Sequence, residues 1–390
     1  MRFLGVVALV AACNGAADGE LPIAMATSGA WDEATAIVHV HYPDGSGAIT
    51  LQLSATEDPR PSATAPLPIA CMPDGRDQCT ATLARFPAHD KLVAFTPQLG
   101  GMDARGARYL VERDGTVDVY PHFTLTHGTK RVLFPAFHSA TLEPFEPGNQ
   151  REIVAYLPAS YDENIAARYP VIYFQDGQVM FDDGRHIDTS VEAAWEQTGA
   201  FDEFIAIMVS GIATINGTPT GIRNNEYNPT PTSLTGTPPL GEQYATMLAT
   251  ELKPQVDAAL RTRPEREHTF ATGYSLGASI STWIAFRYPN VFGGYAGVSE
   301  ATGVDYNWIN DQLPASPPSP RLTRIYLDTG TENDAQGVIA SFASTYRTLG
   351  YVDGPELFTY VELGGAHEPY AWGRRFPVAF AFLAPAQRIP

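Results

Sequence analysis

Basic residues are scarce in this 390-residue chain: 25 Lys and Arg stand against 43 Asp and Glu, a formal net charge of −18. A surface of that sign repels phosphate backbones, which argues against nucleic acid as a partner. Cysteine is scarcer still, with only Cys13, Cys71 and Cys79. Two nearby thiols without histidine beside them make at most half a ligand set, so no metal site is expected. No apolar run reaches the roughly 20 residues that span a bilayer. Low-complexity tracts are absent too, and the 44% hydrophobic share is that of a folded globular chain. Plentiful instead are glycine and proline, 34 and 32 of them, which favour many turns and long surface loops. A chain this long buries a large core and is expected to divide into two domains.

The N-terminus reads "MRFLGVVALVAACNGAADGE". One basic residue precedes an apolar run from Phe3 to Ala12, the pattern of an export signal. Val10-Ala11-Ala12-Cys13 resembles a bacterial lipobox, which implies a signal over 1–13 and a lipid anchor on Cys13 as the sole membrane attachment. The protein is then expected outside the cytoplasm, anchored at the cell envelope or secreted. In that setting Cys71 and Cys79, flanking "MPDGRDQ", are expected to pair. His39 and His41 alternate on one strand face, but no third ligand is in sight and both read as structural.

Residues 14–30 form a small-residue tether. From residue 31 to about 125 short alternating stretches are broken by turn signals: "AIVHVHY", "PDGSG", "AITLQLSA", then "KLVAFTPQL", "ARYLVERDG" and "TVDVYPHF". Period-two alternation without a helical period predicts a β-sandwich, Ig-like or carbohydrate-binding-like. From about 130 to 390 strands alternate with helices. "REIVAYLP", "PVIYFQDG" and "EFIAIMVSG" are apolar along most of their length, as a doubly covered sheet requires. "YATMLATELKPQVDAAL" carries a helical stripe, with Pro254 expected to bend or break it. "HTFATGYS" leads into the helix "LGASISTWIAFRYP", and "GYAGVSEA", "RIYLDTG" and "FTYVEL" supply three further strands. Such alternation predicts an α/β fold, a mainly parallel sheet with helices on both faces.

Within this pattern "ATGYSLGAS" places Ser275 between Gly273 and Gly277, at a strand end and before a helix. That context is a nucleophile elbow, which exposes Oγ above a helix N-terminus. A serine hydroxyl attacks only when a base takes its proton and an acid orients the base. The one histidine after Ser275 is His367, in "ELGGAHEPYAW". The order Ser, acid, His is that of α/β-hydrolases. The acid belongs on the loop of "RIYLDTGTEND": Asp334 is favoured, Glu332 is the alternative, and Asp328 falls too early. The oxyanion needs two amides, expected from Leu276 and from Gln178 in "FQDGQVMFD", where Gly177 permits the turn and Asp176 is either a helper or a turn residue. Tyr274 and Trp372 are expected beside the substrate, Trp372 being equally suited to the core. Arg223, Glu226 and Tyr227 read as an ion-paired ordering of a nearby loop. Asn216 in "NGT" matches a glycosylation sequon by pattern only.

The stretches "REIVAYLPASYDE", "YPVIYFQDGQVMFDD", "RNNEYNPT", "ELKPQVDAALRTRPEREHTFATGYSLGAS", "YPNVFGGYAGVSEA", "LDTGTEND" and "GGAHEPYAW" resemble, in order, the putative-esterase family of α/β-hydrolases. That family holds feruloyl esterases, enterochelin esterases, S-formylglutathione hydrolase and mycolyltransferases. The resemblance runs from about residue 135 to 388 and carries Ser275, His367, Leu276 and Gln178 over directly. Two positions depart from it. Ala278 stands where a second glycine is frequent, and the usual acid position, three residues after Gly330, holds Asn333. It implies an ester hydrolase working through an acyl-serine, with no metal or organic cofactor, on a feruloyl or acetyl polysaccharide ester or a siderophore-type ester. The acidic surface and export signal argue against S-formylglutathione hydrolase. A binding protein on a weakened hydrolase scaffold and an acyltransferase are the alternatives. The partners expected are the ester substrate and polysaccharide through the β domain, with the chain a monomer or dimer.

Overall fold

The computed structural model describes residues 31–43, 49–54, 69–75, 77–87, 92–106, 109–181, 186–187, 201–231, 238–301 and 312–385. The export signal, Cys13 and the tether lie outside the described residues.

Nine strands come first: β1 (Trp31–His41), β2 (Ile49–Ser54), β3 (Ile69–Ala70), β4 (Met72–Pro73), β5 (Gln78–Pro87), β6 (Leu92–Leu99), β7 (Met102–Asp103), β8 (Tyr109–Glu112) and β9 (Thr116–Val119). They form two sheets, β4-β5-β1-β9 and β3-β2-β6-β7 with β8 beside β6. Alternate residues face inward: Val38 and Val40 of β1, Leu51 and Leu53 of β2, Leu83 of β5 and Phe95 of β6 share one core. Cys71 and Cys79 are disulfide-bonded within it. His39 meets Thr80 Oγ1 at 2.9 Å, and His41 meets Asp118 at 2.7 Å and stacks on Tyr120.

The larger sheet has ten strands: β10 (Thr129–Phe137), β11 (Asn149–Leu157), β12 (Val171–Gln175), β13 (Ile205–Val209), β14 (Ala213–Ile215), β15 (Thr218–Thr220), β16 (Thr269–Tyr274), β17 (Gly294–Val298), β18 (Arg324–Glu332) and β19 (Leu357–Ala366). Their order is β15-β14-β11-β13-β12-β16-β17-β18-β19, with β10 paired to β11. From β13 to β19 every neighbour is parallel. Successive residues of β12 enter different cores, Val171 and Tyr173 on one face, Ile172 and Phe174 on the other. The uninterrupted apolar run of this strand follows from that double coverage.

The helices are α1 (Arg223–Glu226), α2 (Gly241–Thr246), α3 (Lys253–Ala259), α4 (Leu276–Arg287), α5 (Gln336–Thr348) and α6 (Pro369–Leu383). Ile280 and Trp283 of α4 and Phe342 of α5 pack on one face of the sheet, and Phe376 and Phe380 of α6 on the other. Pro254 does not break its helix. A π-helical stretch, Met247–Leu252, joins α2 to α3 just before it. Proline lacks the N–H and crowds the carbonyl four residues back, and the wider π register absorbs both. A hairpin absent from the sequence reading joins β14 to β15. Asn216 and Gly217 form its turn at φ 51° and 76°, so the sequon asparagine serves as a left-handed turn residue.

A carboxylate on the hydrolase-like domain holds the junction with the β domain. Glu163 accepts from the amides of Phe123 (2.5 Å), Thr124 (2.9 Å) and Leu125 (3.0 Å), and from the Thr124 hydroxyl (2.6 Å). Burial alone would raise this carboxyl, but the Thr124 hydroxyl and the three amides outweigh it and hold it below its usual range. Beside the junction a cleft lined by Tyr109, Tyr120, His122, Arg168 and Arg263 opens near the starts of β12 and β16, away from their C-terminal ends. Replacing Glu163 with Ala is expected to weaken the junction by about 1–2 kcal/mol. Proteolysis of the 120–128 connection should then speed up about 5- to 30-fold. A lowered folded pKa gives stability that is present above the usual carboxylate range and fades as pH falls through the folded value. The wild-type connection is therefore expected to become protease-sensitive in acid, while Glu163→Ala loses that pH dependence.

Candidate active site

The C-terminal ends of the parallel strands collect the chemistry. β16 ends at Tyr274, and Ser275 follows at φ 55°, ψ −126°, a conformation that L-residues rarely adopt. The Ser275 amide donates to the Val298 carbonyl at 3.1 Å, and its own carbonyl accepts from Ala278, Ser279 and Ala301. A methyl group on Gly273 would stand 2.7 Å from the Gly277 backbone, so glycine is required where strand and helix cross. Crowding at Gly277 is milder and comes from Asp176 and Gln175. Ala278 is fully buried in the first turn of α4, where its methyl group is accommodated.

His367 leaves the end of β19 and places Nε2 2.9 Å from Ser275 Oγ. Its Nδ1 lies 3.0 Å from Asp334 Oδ1. A carboxylate only accepts, so the imidazole proton is on Nδ1, and Nε2 offers its lone pair to the serine hydroxyl. Asp334 reaches this place because Asn333 adopts φ 51°, which turns the loop after β18 by one residue. Glu332 ends β18, is solvent-exposed and makes no hydrogen bond to His367. The other carboxylate oxygen, Asp334 Oδ2, accepts from Ser299 Oγ (2.5 Å) and the Gly330 amide (2.8 Å), while Oδ1 also accepts from the Ala335 amide (2.9 Å). Burial opposes its charge, but His367, Ser299 and the two amides hold the carboxyl well below the usual range. Asp328 lies fully buried beneath. Burial, opposed by Arg375, pushes it up to about 7.

The loop after β12 abuts the elbow, with Asp176 as its left-handed residue at φ 60°. Gly177 is needed for a different reason than expected: a methyl group there would stand 2.5 Å from the Met208 backbone. Neither the Gln178 nor the Leu276 amide donates a hydrogen bond within the described residues. The Gln178 side chain is tied to the Gly211 amide at 2.8 Å. Asp176 makes a two-point ion pair with Arg223, at 2.5 and 2.6 Å. Arg223 belongs to α1, which is itself fixed by the buried pair of Glu226 with Arg151, and Tyr227 donates structural support by accepting the Asp176 amide at 3.0 Å. The loop-ordering role read for Arg223, Glu226 and Tyr227 is thus what the contacts describe.

Tyr274 and Trp372 stack at 4.1 Å beside the nucleophile. His186 lies 5.0 Å from Tyr274, and Trp372 meets the His367 ring edge-on at 5.1 Å. Trp372 is buried and belongs to the apolar core under α6, so it both braces the histidine and packs the helix. Three residues here were not singled out from sequence: His186, Ser299 and Arg375. Only Arg375 left a trace, as a charge inside the apolar helix "AWGRRFPVAFAFL". Among the described residues no group of three or more His, Cys, Asp or Glu is placed to hold a metal ion.

Residues 146–383 match the model of the family described as "Putative esterase". Over 197 residues, 49% of this chain and 72% of the relative, the sequence is 24% identical to the uncharacterized protein YbbA of Bacillus subtilis (strain 168). A CE1 ferulic acid esterase from Anaeromyces mucronatus, solved with ferulic acid, is similar at 18% identity and a TM-score of 0.48, over 67% of this chain and 91% of that one. The enterobactin esterase FES from Shigella flexneri is similar at 12% identity and a TM-score of 0.49, over 89% of this chain and 92% of that one.

Asp334→Asn is expected to slow phosphonylation of Ser275 by a fluorophosphonate about 10³- to 10⁴-fold, because the amide favours the wrong imidazole tautomer. Glu332→Gln should stay within about twofold of wild type, as for an exposed side chain outside the site. Stopped-time labelling of the three proteins checks both; equal slowing in the two variants would remove Asp334 from its assignment.

Proposed function

The chain belongs to the putative-esterase family, and from that premise we propose that it is an exported serine esterase that hydrolyses carboxylic esters through an acyl-serine intermediate. The observation that carries this reading is the continuous contact from Ser275 Oγ through His367 to Asp334, at 2.9 and 3.0 Å. Ser275 Oγ attacks the acyl carbonyl carbon while His367 Nε2 takes its proton. The negative oxygen that forms is met by the Leu276 and Gln178 amides, which have no acceptor among the described residues to give up. Collapse of the tetrahedral intermediate breaks the bond to the leaving oxygen, which takes from His367 the proton drawn from Ser275 and departs as the alcohol. Water then repeats the sequence on the acyl-serine, and the acid leaves. Asp334 stays charged throughout and stabilises the imidazolium in each half.

For the substrate we favour an ester with an aromatic acyl group, of the feruloyl or catecholate kind, over a simple acetyl ester. The partly exposed ring of Tyr274 beside Ser275 supports it, since planar rings pack well against such surfaces. Feruloyl polysaccharide and siderophore-type esters are the natural forms this favours, and the β domain is proposed to hold a polysaccharide. A lipid anchor on Cys13 at the cell envelope is proposed from the sequence alone. Against the binding-protein reading stands the acid itself: the displaced loop delivers Asp334 to His367 rather than leaving the position empty.

Purified protein is expected to hydrolyse p-nitrophenyl acetate and to take up a fluorophosphonate, and Ser275→Ala should lose turnover by at least about 10⁴-fold. A wild-type protein neither labelled nor active would leave the binding reading. Across feruloyl, acetyl, short-chain and catecholate esters, kcat/KM should be highest for the aromatic acyl groups; an acetyl preference refutes that part. Transfer of the acyl group to an added alcohol in preference to water would mark an acyltransferase. Expressed in a bacterium, the full chain should incorporate labelled fatty acid, and Cys13→Ser should abolish it.

A further inference from the structure

Arg375 has the largest fully buried side chain among the described residues. It sits in the second turn of α6, the helix that begins directly after the His367 loop. Taking a guanidinium out of water carries a heavy desolvation cost unless its donors are met. Here Nη2 lies 2.5 Å from Ser299 Oγ and Nη1 3.3 Å from Asp334 Oδ2. Nε faces Asp328 Oδ1 at 3.4 Å and Glu362 Oε2 at 3.8 Å. Around this cation β18 supplies Asp328 and Tyr326, the loop after β18 supplies Asp334, and β19 supplies Tyr360 and Glu362. Arg374 reaches Glu362 from the solvent side.

The direction of each proton follows from donor chemistry. A guanidinium only donates, so Ser299 Oγ accepts from Arg375 and has a single proton left. The acceptor it faces is Asp334 Oδ2, at 2.5 Å. Ser299 itself stands at φ 45°, a strained conformation held at the end of β17 by its amide, which donates to Asp328 Oδ1 at 2.9 Å. Strain of this kind persists where surrounding contacts over-determine it, and it gathers at functional sites.

We propose that Arg375 and Ser299 form a positioning relay behind the triad acid. Arg375 fixes the direction of the Ser299 proton, Ser299 locks Asp334 Oδ2, and Oδ1 is the oxygen left to orient His367. Neither residue touches substrate. The inference rests on the esterase reading, and it adds two residues on separate elements to the acid's support.

The test measures kcat and KM of p-nitrophenyl acetate hydrolysis for wild type, Ser299→Ala, Arg375→Met and Arg375→Lys. Ser299→Ala is expected to lower kcat about tenfold, the worth of one charge-assisted hydrogen bond, with KM within about twofold. Arg375→Met should lower kcat further, again with KM within about twofold. Arg375→Lys should not restore kcat, since an ammonium keeps the charge but not the two-point geometry. Ser299→Ala with wild-type kcat overturns the relay, also where Arg375→Met fails to fold. A wild-type enzyme without turnover refutes instead the esterase reading on which the relay stands, so the two failures are told apart.

Discussion

The catalytic edge depends on how closely β16 and α4 cross. With no side chain at Gly273, the helix starts immediately under the strand end, and Ser275 is forced into a conformation that lifts its hydroxyl clear of both. Once that position is set, every partner has one direction from which to arrive. The loop after β12 comes from one side, with Gly177 close against β13. The loops after β18 and β19 come from the other. A parallel sheet makes this possible, because six consecutive strands deliver their C-terminal ends to one edge.

Loops that carry such work need anchoring, and both sides find it in a buried guanidinium. On the oxyanion side Arg151 pairs with Glu226, which fixes α1, and Arg223 of α1 holds Asp176. Glu146, fully buried at 3.9 Å from Arg151, is raised by burial and by the negative Glu226 beside it, so this set carries more carboxyl than its one cation can neutralise. On the acid side Arg375 stands among Asp334, Asp328 and Glu362. Buried ion clusters of this kind add little net stability compared with apolar packing, but they restrict geometry. Restricted geometry is what a proton transfer between Ser275 and His367 requires.

Much of this was legible in the sequence where the signal is local. Mostly apolar runs marked β11, β12 and β13, and glycines flanking a serine at a strand end marked the elbow. The pairing of Cys71 with Cys79 was expected from their closeness in sequence behind a stretch that reads as an export signal. The acid was harder, because Asp334 and Glu332 differ only in the path the backbone takes between them, and that path turns on the left-handed Asn333. β10 went unread because its pattern "TKRVLFPAF" leaves most side chains exposed and interrupts alternation at two irregularities against β11. The β14–β15 hairpin was hidden by its brevity, although Asn216-Gly217 is the turn pair its tight connection needs. The meeting of Ser299 and Arg375 at Asp334 was invisible for another reason: they come from strands and helices far apart in the chain, and no spacing records that.

The left-handed Asn333 has a wider implication for how such sites drift. The kink at Asn333 lets a carboxylate one residue further along the loop reach His367 Nδ1 above the sheet. Selection on such an enzyme acts on a place in space, which neighbouring positions can occupy in turn provided the loop's curvature changes with them. Related chains whose acid falls one step earlier need not be read as having lost or gained anything; they solve the same reach with a different bend.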